Sequence, residues 1–140
     1  MERNPADTPQ LVQSGPEYDE AGLAYRLQMP AGPGPYPLAV LLHGRLGDED
    51  VMWLFRRVVS RPWLVVAPRA IVPESPRGFS WHAQPRGQWP ELPAFDPAVE
   101  ALLRFLAAMP RLYNADPDRT VLMGFSQGAA VAYATALRRP

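Results

Sequence analysis

The run VLMGFSQGAA at residues 121–130 constrains the fold more than any other part of the chain. Apolar residues lead into Gly-x-Ser-x-Gly, and small residues follow it. When a strand turns into a helix within about one residue, the serine between them lies on a strained backbone. Gly124 and Gly128 flank Ser126 at the positions where a Cβ would collide with the neighbouring strand or helix. The spacing therefore predicts that the Ser126 hydroxyl is exposed at the positive end of a helix.

A glycine-rich turn with a buried serine is the alternative interpretation of this run. The flanking residues favour the exposed serine. Arg119–Phe125 is apolar enough for a buried strand, and Gln127–Arg138 has the pattern of a helix. We therefore expect the turn to join a strand directly to a helix.

Length and composition indicate one domain over residues 1–140, with a flexible arm at residues 1–9. The formal net charge is zero and no basic block occurs, so we expect no nucleic-acid partner. The chain has no cysteine, which excludes a disulfide framework, a thiol nucleophile and a thiolate metal site. We expect neither a metal nor a cofactor.

The first residues are polar and lack the apolar core of a signal peptide. The longest apolar run, residues 37–42, is too short to cross a bilayer. These observations predict a soluble, cytoplasmic protein without a membrane span.

Periodicity predicts two strands, at residues 11–14 and 23–29, followed by the order β-α-β-loop-α-β-α. Residues 38–42 and 63–67 are continuous apolar runs, which are typical of strands covered on both faces. The order predicts an α/β fold, with a mostly parallel sheet, flanking helices and right-handed crossovers.

Two helices are predicted between these strands. Asp48, Glu49 and Asp50 open the first, and an apolar face that includes Val51, Leu54 and Phe55 is expected to be buried. In the second, Asp96 is the expected cap, with Pro97 at the first helical position and a buried stripe of Val99, Leu102, Leu103, Leu106 and Met109. Residues 68–95 form a long loop, which in a compact domain is usually functional.

An exposed, activated serine is the nucleophile of many ester hydrolases, which also need a base, an acid and donors for the oxyanion. Ser126 is the candidate nucleophile. The backbone N–H of Gln127 lies at the helix N-terminus and is one candidate donor. The second should come from the loop after the strand at residues 38–42, where we nominate the N–H of Arg45, with Leu46 as the alternative.

Three ring-bearing residues, His43, Trp81 and His82, allow more than one interpretation. We interpret His43, at a strand end, as a structural residue that pins its loop. His82 lies in the long loop, where it is either a pocket residue or a general base. Trp81 is either a wall of the substrate pocket or an anchor packed on the sheet. The Arg45 side chain is interpreted as solvated, with anion binding as the alternative.

Four segments resemble, in order, the phospholipase/carboxylesterase family of α/β-hydrolases, which includes acyl-protein thioesterases and small bacterial carboxylesterases. They are LLHGRLGDE at residues 41–49, APRA at 67–70, GFSW at 78–81 and DPDRTVLMGFSQGAA at 116–130. The resemblance implies that Ser126 is the nucleophile and that the N–H groups of Arg45 and Gln127 form the oxyanion hole. It also implies that Trp81 lines the acyl pocket.

The chain departs from the family in two respects. Leu46 replaces a residue that is often glycine. In this fold the acid and the histidine follow the serine, whereas residues 127–140 contain neither aspartate nor histidine. We therefore expect the N-terminal portion of such a fold, apparently truncated after the nucleophile helix, with the serine's strand left at an edge of the sheet.

The leading hypothesis is a serine carboxylesterase that cleaves small carboxylic esters or thioesters through an acyl-enzyme on Ser126. A homodimer, or a C-terminal fragment of the same protein, would be its macromolecular partner. The alternative is a non-catalytic module that binds an acyl ligand or a protein at the free sheet edge. A third hypothesis keeps activity within the chain, with His82 as the base. Dienelactone-hydrolase-like and peptidase chemistries are also open, because a fold does not fix a substrate.

Overall fold

A computed structural model describes residues 9–59, 62–83 and 91–139. Most of the arm expected at residues 1–9 therefore lies outside the described residues, as does the stretch 84–90 of the long loop. Within the described ranges, no helix is both long and apolar enough to cross a membrane.

The described residues form seven strands. They are β1 (Gln10–Val12), β2 (Tyr25–Gln28), β3 (Tyr36–Leu42), β4 (Leu64–Pro68), β5 (Val72–Pro73), β6 (Phe79–Ser80) and β7 (Ala115–Gly124). Five of them form one sheet in the order β1-β2-β4-β3-β7. β3 pairs in parallel with both β4 and β7, whereas β1 with β2 and β2 with β4 are antiparallel. The predicted α/β fold is confirmed, with a mixed sheet whose parallel part carries the serine.

Three α-helices are described, α1 (Pro16–Ala21), α2 (Asp96–Tyr113) and α3 (Gln127–Arg138), together with 3₁₀ helices at Val51–Val58 and Leu92–Phe95. α3 has the predicted bounds. α1 was not predicted, because six residues are too few to show a helical period. Pro16 occupies its first helical position, which suits the fixed φ of proline.

α2 begins at Asp96, with proline in its first turn as predicted. Asp96 does not cap the helix; its carboxylate forms an ion pair with Arg138 of α3. Of the predicted stripe, Val99, Leu102 and Met109 are buried, and Phe105 lies with them against the sheet. Phe105 meets Tyr25 of β2 edge to face, with ring centroids 5.3 Å apart. The burial of these side chains fixes α2 on one face of the sheet.

β3 and β4 are buried along almost their whole length because both sheet faces are covered. The larger apolar cluster contains the α2 contacts, and a smaller cluster of Leu41, Met52, Val65 and Ala67 forms on the opposite face. This double coverage explains the continuous apolar runs that predicted the strands.

The first predicted crossover helix differs from expectation. It is a 3₁₀ helix, and the face expected to be buried is exposed: Val51 is 53%, Leu54 70% and Phe55 40% accessible. Met52 is buried instead, against the smaller cluster. A 3₁₀ helix has about 3.0 residues per turn, so a stripe placed with the α-helical period of about 3.6 rotates away from the core.

The long loop contains the β5–β6 hairpin. Phe79 of β6 also bridges to Gly47 in the loop after β3, with the Phe79 N–H donating to the Gly47 carbonyl over 2.8 Å. The hairpin is thereby attached to the loop that lies beside the serine.

Candidate active site

Ser126 lies in the two-residue turn, Phe125 and Ser126, between β7 and α3. Its backbone has φ 54° and ψ −117°, a sparsely populated conformation for a residue with a side chain. The side chain is exposed. α3 starts at the next residue, so the hydroxyl lies at the positive end of the helix dipole.

The two glycines around the serine leave no room for a side chain. A Cβ on Gly124 would lie 2.4 Å from the backbone of Gly128, and a Cβ on Gly128 would lie 2.2 Å from the carbonyl oxygen of Leu42. Both contacts are with backbone atoms, which cannot rotate away. The close approach of β3, β7 and α3 therefore depends on glycine at both positions.

The loop after β3, residues 43–47, borders the serine. A Cβ on Gly44 would lie 3.4 Å from the Cβ of Ser126 and 3.2 Å from the carbonyl oxygen of Phe125. The Phe125 N–H donates to the carbonyl of Leu42 over 3.1 Å, which fixes the loop to the turn. The two segments nominated for oxyanion donors are therefore adjacent.

The nominated donors differ in their availability. The Leu46 N–H points to the Ser80 hydroxyl oxygen at 3.4 Å. Within the described ranges, the N–H groups of Arg45 and Gln127 donate to no other group. Leu46 also has a φ of 65°, a conformation that glycine adopts without strain. Among the described residues, the Arg45 and Gln127 N–H groups are therefore the nominated donors without a partner.

His43 is buried and uses both ring nitrogens. Nδ1 lies 2.7 Å from the Gly44 carbonyl, and Nε2 accepts the Ala70 N–H over 3.0 Å. These partners require a neutral ring with its proton on Nδ1. Burial lowers the pKa of His43, although the Gly44 carbonyl acts in the opposite direction. His43 thus pins the loop, in the structural role that the sequence indicated.

Trp81 is fully buried. Its indole Nε1 donates to the His43 carbonyl over 2.8 Å, and its ring stacks on the His43 ring at 5.4 Å between centroids. These are the contacts of a loop anchor, one of the two roles that the sequence left open. As described, its ring does not line an open pocket.

His82 is also buried. It packs edge to face on Phe95, 4.7 Å between centroids, and Nδ1 lies 3.3 Å from the Ala83 carbonyl. Within the described part of the chain neither histidine is hydrogen-bonded to Ser126. The structure therefore brings the serine turn next to the loop that carries the Arg45 amide, and neither histidine is bonded to the serine in the part of the chain that is described.

An ion pair braces the far end of the same loop. Glu49 is buried and accepts two bonds from the Arg69 guanidinium, at 2.8 and 2.6 Å. These bonds lower the pKa of Glu49. The guanidinium also lies 4.8 Å from the ring centre of Phe79. The sequence does not reveal this pair, because residues 48–50 have the pattern of helix-start acids and the partner follows another strand.

Gln127 has a second role that the sequence did not indicate, since only its backbone N–H was nominated. Its side-chain Oε1 accepts the backbone N–H of Trp81 over 2.6 Å. A polar side chain directly after Ser126 is the sequence feature that could have indicated this contact.

No group of three or more histidine, cysteine, aspartate or glutamate side chains is placed for a metal in the residues described.

Comparisons with known proteins identify solved structures with a similar fold. No protein-family model matches the chain, and no curated protein matches it by sequence. A carboxylesterase from Mesorhizobium loti has a TM-score of 0.77 at 23% identity, over 94% of this chain and 59% of its own. Esterase PE8 has a TM-score of 0.71 at 29% identity, over 81% and 57%. A carboxylesterase from Bacillus cereus has a TM-score of 0.69 at 23% identity, over 82% and 53%.

The chain thus spans less than two thirds of the length of the esterases that it resembles. The similarity to the Mesorhizobium loti protein extends over most of this chain. The chain has the α/β-hydrolase fold of carboxylesterases, over little more than half of their length.

Proposed function

We propose that Ser126 is the nucleophile of a carboxylic ester hydrolase that works through an acyl-enzyme. The observation that carries the proposal is an exposed serine with φ 54° at a helix N-terminus, flanked by glycines that admit no Cβ. Such a nucleophile elbow presents the oxygen to a carbonyl carbon while the strained backbone keeps it out of the core.

The oxyanion of the tetrahedral intermediate would be held by the N–H groups of Arg45 and Gln127. Both amides are free of other described partners, and the Leu46 N–H is the alternative to Arg45. Amides fixed in advance stabilise the charge that develops on the oxygen without reorganising during the reaction. The loss of one such donor costs about 10²–10³ in kcat.

A complete serine esterase also needs a base to take the serine proton. In this fold the acid and histidine usually follow the serine, and residues 127–140 contain neither type. Because the chain spans only part of its structural relatives, the triad partners would come from further polypeptide. His82, in the loop tied to Gln127 through Trp81, is the candidate base within the chain.

The substrate class that fits is a small carboxylic ester or thioester. Leu46 and Phe125, which adjoin the serine in the loop and the turn, are 50% and 62% exposed and would contact an apolar acyl group. Trp81 and His82 would reach a substrate only after the segment that holds them moves, since both are buried. We further propose a cytoplasmic location.

Turnover of p-nitrophenyl esters tests the proposal, with Ser126→Ala as the matched variant. We expect slow release of nitrophenol by the 140-residue chain and an acyl adduct on Ser126, because the exposed serine oxygen can still attack an activated ester beside the proposed oxyanion donors. Ser126→Ala should lose the adduct and the turnover. Equal rates for the two proteins would reject the nucleophile, and a loss of turnover in His82→Ala would identify that histidine as the base.

A second function, a non-catalytic module that binds a protein or an acyl ligand, is supported by the free edge of β7. In the described sheet β7 pairs only with β3. A groove of about 950 Å³ runs beside it between α2 and α3, and Val121, Tyr133 and Leu137 are 46%, 75% and 76% exposed. An unpaired apolar edge favours pairing with a second copy or with a C-terminal fragment.

Size-exclusion chromatography with light scattering separates these outcomes. The binding module predicts concentration-dependent dimers that Val121→Lys weakens, because a lysine on an edge strand opposes pairing. Leu54→Lys changes a residue that is exposed on a different element. It is the control and should leave the dimers unchanged. A monomer at all concentrations would argue against self-association at this edge.

A further inference from the structure

The two candidate oxyanion donors lie on different segments of the chain. The Arg45 N–H is in the loop after β3, and the Gln127 N–H is at the start of α3. An oxyanion hole works only when both donors point to one position, so their separation must be held by contacts between the segments.

The segment Gly78–His82 contacts both the loop after β3 and the start of α3. On one side, the Phe79 N–H donates to the Gly47 carbonyl over 2.8 Å, and a Cβ on Gly78 would lie 2.1 Å from the Leu46 carbonyl oxygen. The Trp81 indole donates to the His43 carbonyl over 2.8 Å. The segment is therefore fixed along the loop after β3.

On the other side, one hydrogen bond from this segment reaches α3. The Trp81 backbone N–H donates to Oε1 of Gln127 over 2.6 Å. Trp81 is fully buried and Gln127 is half-buried, so water competes poorly for this bond. The same residue, Gln127, thus offers its N–H to the site and uses its side chain to hold the neighbouring segment.

We propose that the Gln127 side chain is a positioning residue, which clamps Gly78–His82 to the start of α3 and so sets the Arg45 N–H relative to the Gln127 N–H. This inference rests on the proposed function. A neutral amide suits the position because it supplies an acceptor without a negative charge beside the developing oxyanion. A glutamate would supply the same acceptor and repel that charge.

Hydrogen exchange at the Trp81 amide tests the clamp without requiring activity. In the wild-type chain this amide is expected to be protected. Gln127→Met keeps the length of the side chain and removes the acceptor, so the Trp81 amide should exchange about tenfold faster. The Trp81 indole N–H, which donates to His43, should keep its protection. In Gln127→Glu the acceptor is present and the amide should stay protected.

The rate of reaction with a fluorophosphonate tests the positioning. Gln127→Met should lower the maximal labelling rate of Ser126 by about ten- to a hundredfold, with little change in the half-saturating concentration, because donors are displaced and not removed. Glu100→Gln, an exposed change on α2 away from both the serine and the groove, is the control and should leave exchange and labelling unchanged. Melting temperatures identify any variant that is merely less stable.

The outcomes distinguish this inference from the proposed function. If wild-type Ser126 is not labelled, the proposed function fails, whereas the exchange data still report on the clamp. An unprotected Trp81 amide in the wild type, or equal exchange in Gln127→Met and Gln127→Glu, would overturn the clamp. If Gln127→Met speeds exchange and labels at the wild-type maximal rate, the positioning role is wrong.

Discussion

Two residues with side chains adopt left-handed backbone conformations beside the candidate site, Leu46 at φ 65° and Ser126 at φ 54°. Such conformations cost of order 1–3 kcal/mol and persist where the surroundings impose them. At Ser126 the tight approach of β7 to α3 imposes the conformation. At Leu46 the loop must turn between Gly44 and Gly47, whose carbonyl and N–H form a hydrogen bond of 3.1 Å.

The strain at Leu46 predicts the effect of restoring glycine there. Leu46→Gly is expected to raise the free energy of unfolding by roughly 0.5–1 kcal/mol, because relief of the left-handed strain exceeds the added entropy of the unfolded chain. Leu46→Ala keeps the strain and should give no gain. Chemical denaturation of the three proteins measures the difference. A glycine variant less stable than the alanine variant would show that Leu46 is not strained.

His43 predicts a pH dependence of stability. Burial lowers its folded pKa below the ordinary value of 6.5, so the unfolded chain binds a proton at higher pH than the folded chain does. The stability that the neutral His43 ring contributes is fully present above the pKa of the histidine in the unfolded chain. It is lost as the pH falls below that pKa. The lowered pKa of Glu49 acts in a separate window, below the ordinary carboxyl value of 4.5.

Denaturation midpoints at about pH 7.5 and about pH 5.5 test this effect. The wild type should lose stability between the two, and His43→Asn, which does not titrate there, should lose less. A steeper loss in the variant than in the wild type would contradict a neutral, buried His43.

At the scale of elements, agreement with the sequence depended on where each side chain packs. β3, β4 and α3 were predicted nearly residue by residue, because strands covered on both faces and a helix that follows a glycine turn leave strong local patterns. The 3₁₀ helix at Val51–Val58 was predicted as an α-helix with the wrong buried face. Its packing is set by Met52 in the smaller cluster, a tertiary contact that periodicity does not contain.

This corrected orientation predicts a contrast between two neighbouring residues. Met52→Ala removes a buried side chain and should cost about 2–4 kcal/mol of stability. Leu54, which is 70% exposed, should tolerate Leu54→Ala within about 0.5 kcal/mol. Urea denaturation of both variants measures the two costs. If the Leu54 change were the larger, the face first predicted from the sequence would be the buried one.

At the scale of the whole molecule, the sequence predicted that the serine turn and the loop after β3 lie close together. It did not predict the contacts that hold them there. The serine turn and the loop after β3 could be brought together because parallel strands end at one edge of a sheet. The ties that fix them, from Gln127 to Trp81 and from Arg69 to Glu49, join segments distant in sequence. Contacts of that kind carry no local period, so only the folded structure reveals them.

The relation of the chain to its structural relatives belongs to the same scale. β7 leads into the serine turn and is also an edge of the described sheet, with an apolar groove beside it. The relatives extend well beyond the part that matches. Further polypeptide on this edge would cover the groove and would bring the base that an efficient esterase needs.

The central claim is that the hydroxyl of Ser126 is the reactive group of the molecule. Treatment of the native chain with a fluorophosphonate, followed by peptide mass spectrometry, tests it directly. The account predicts a single adduct, on Ser126, that is absent from Ser126→Ala and from the chain unfolded in urea. An adduct on Ser14, Ser60, Ser75 or Ser80 at an equal rate, or no adduct on the folded chain, would contradict it.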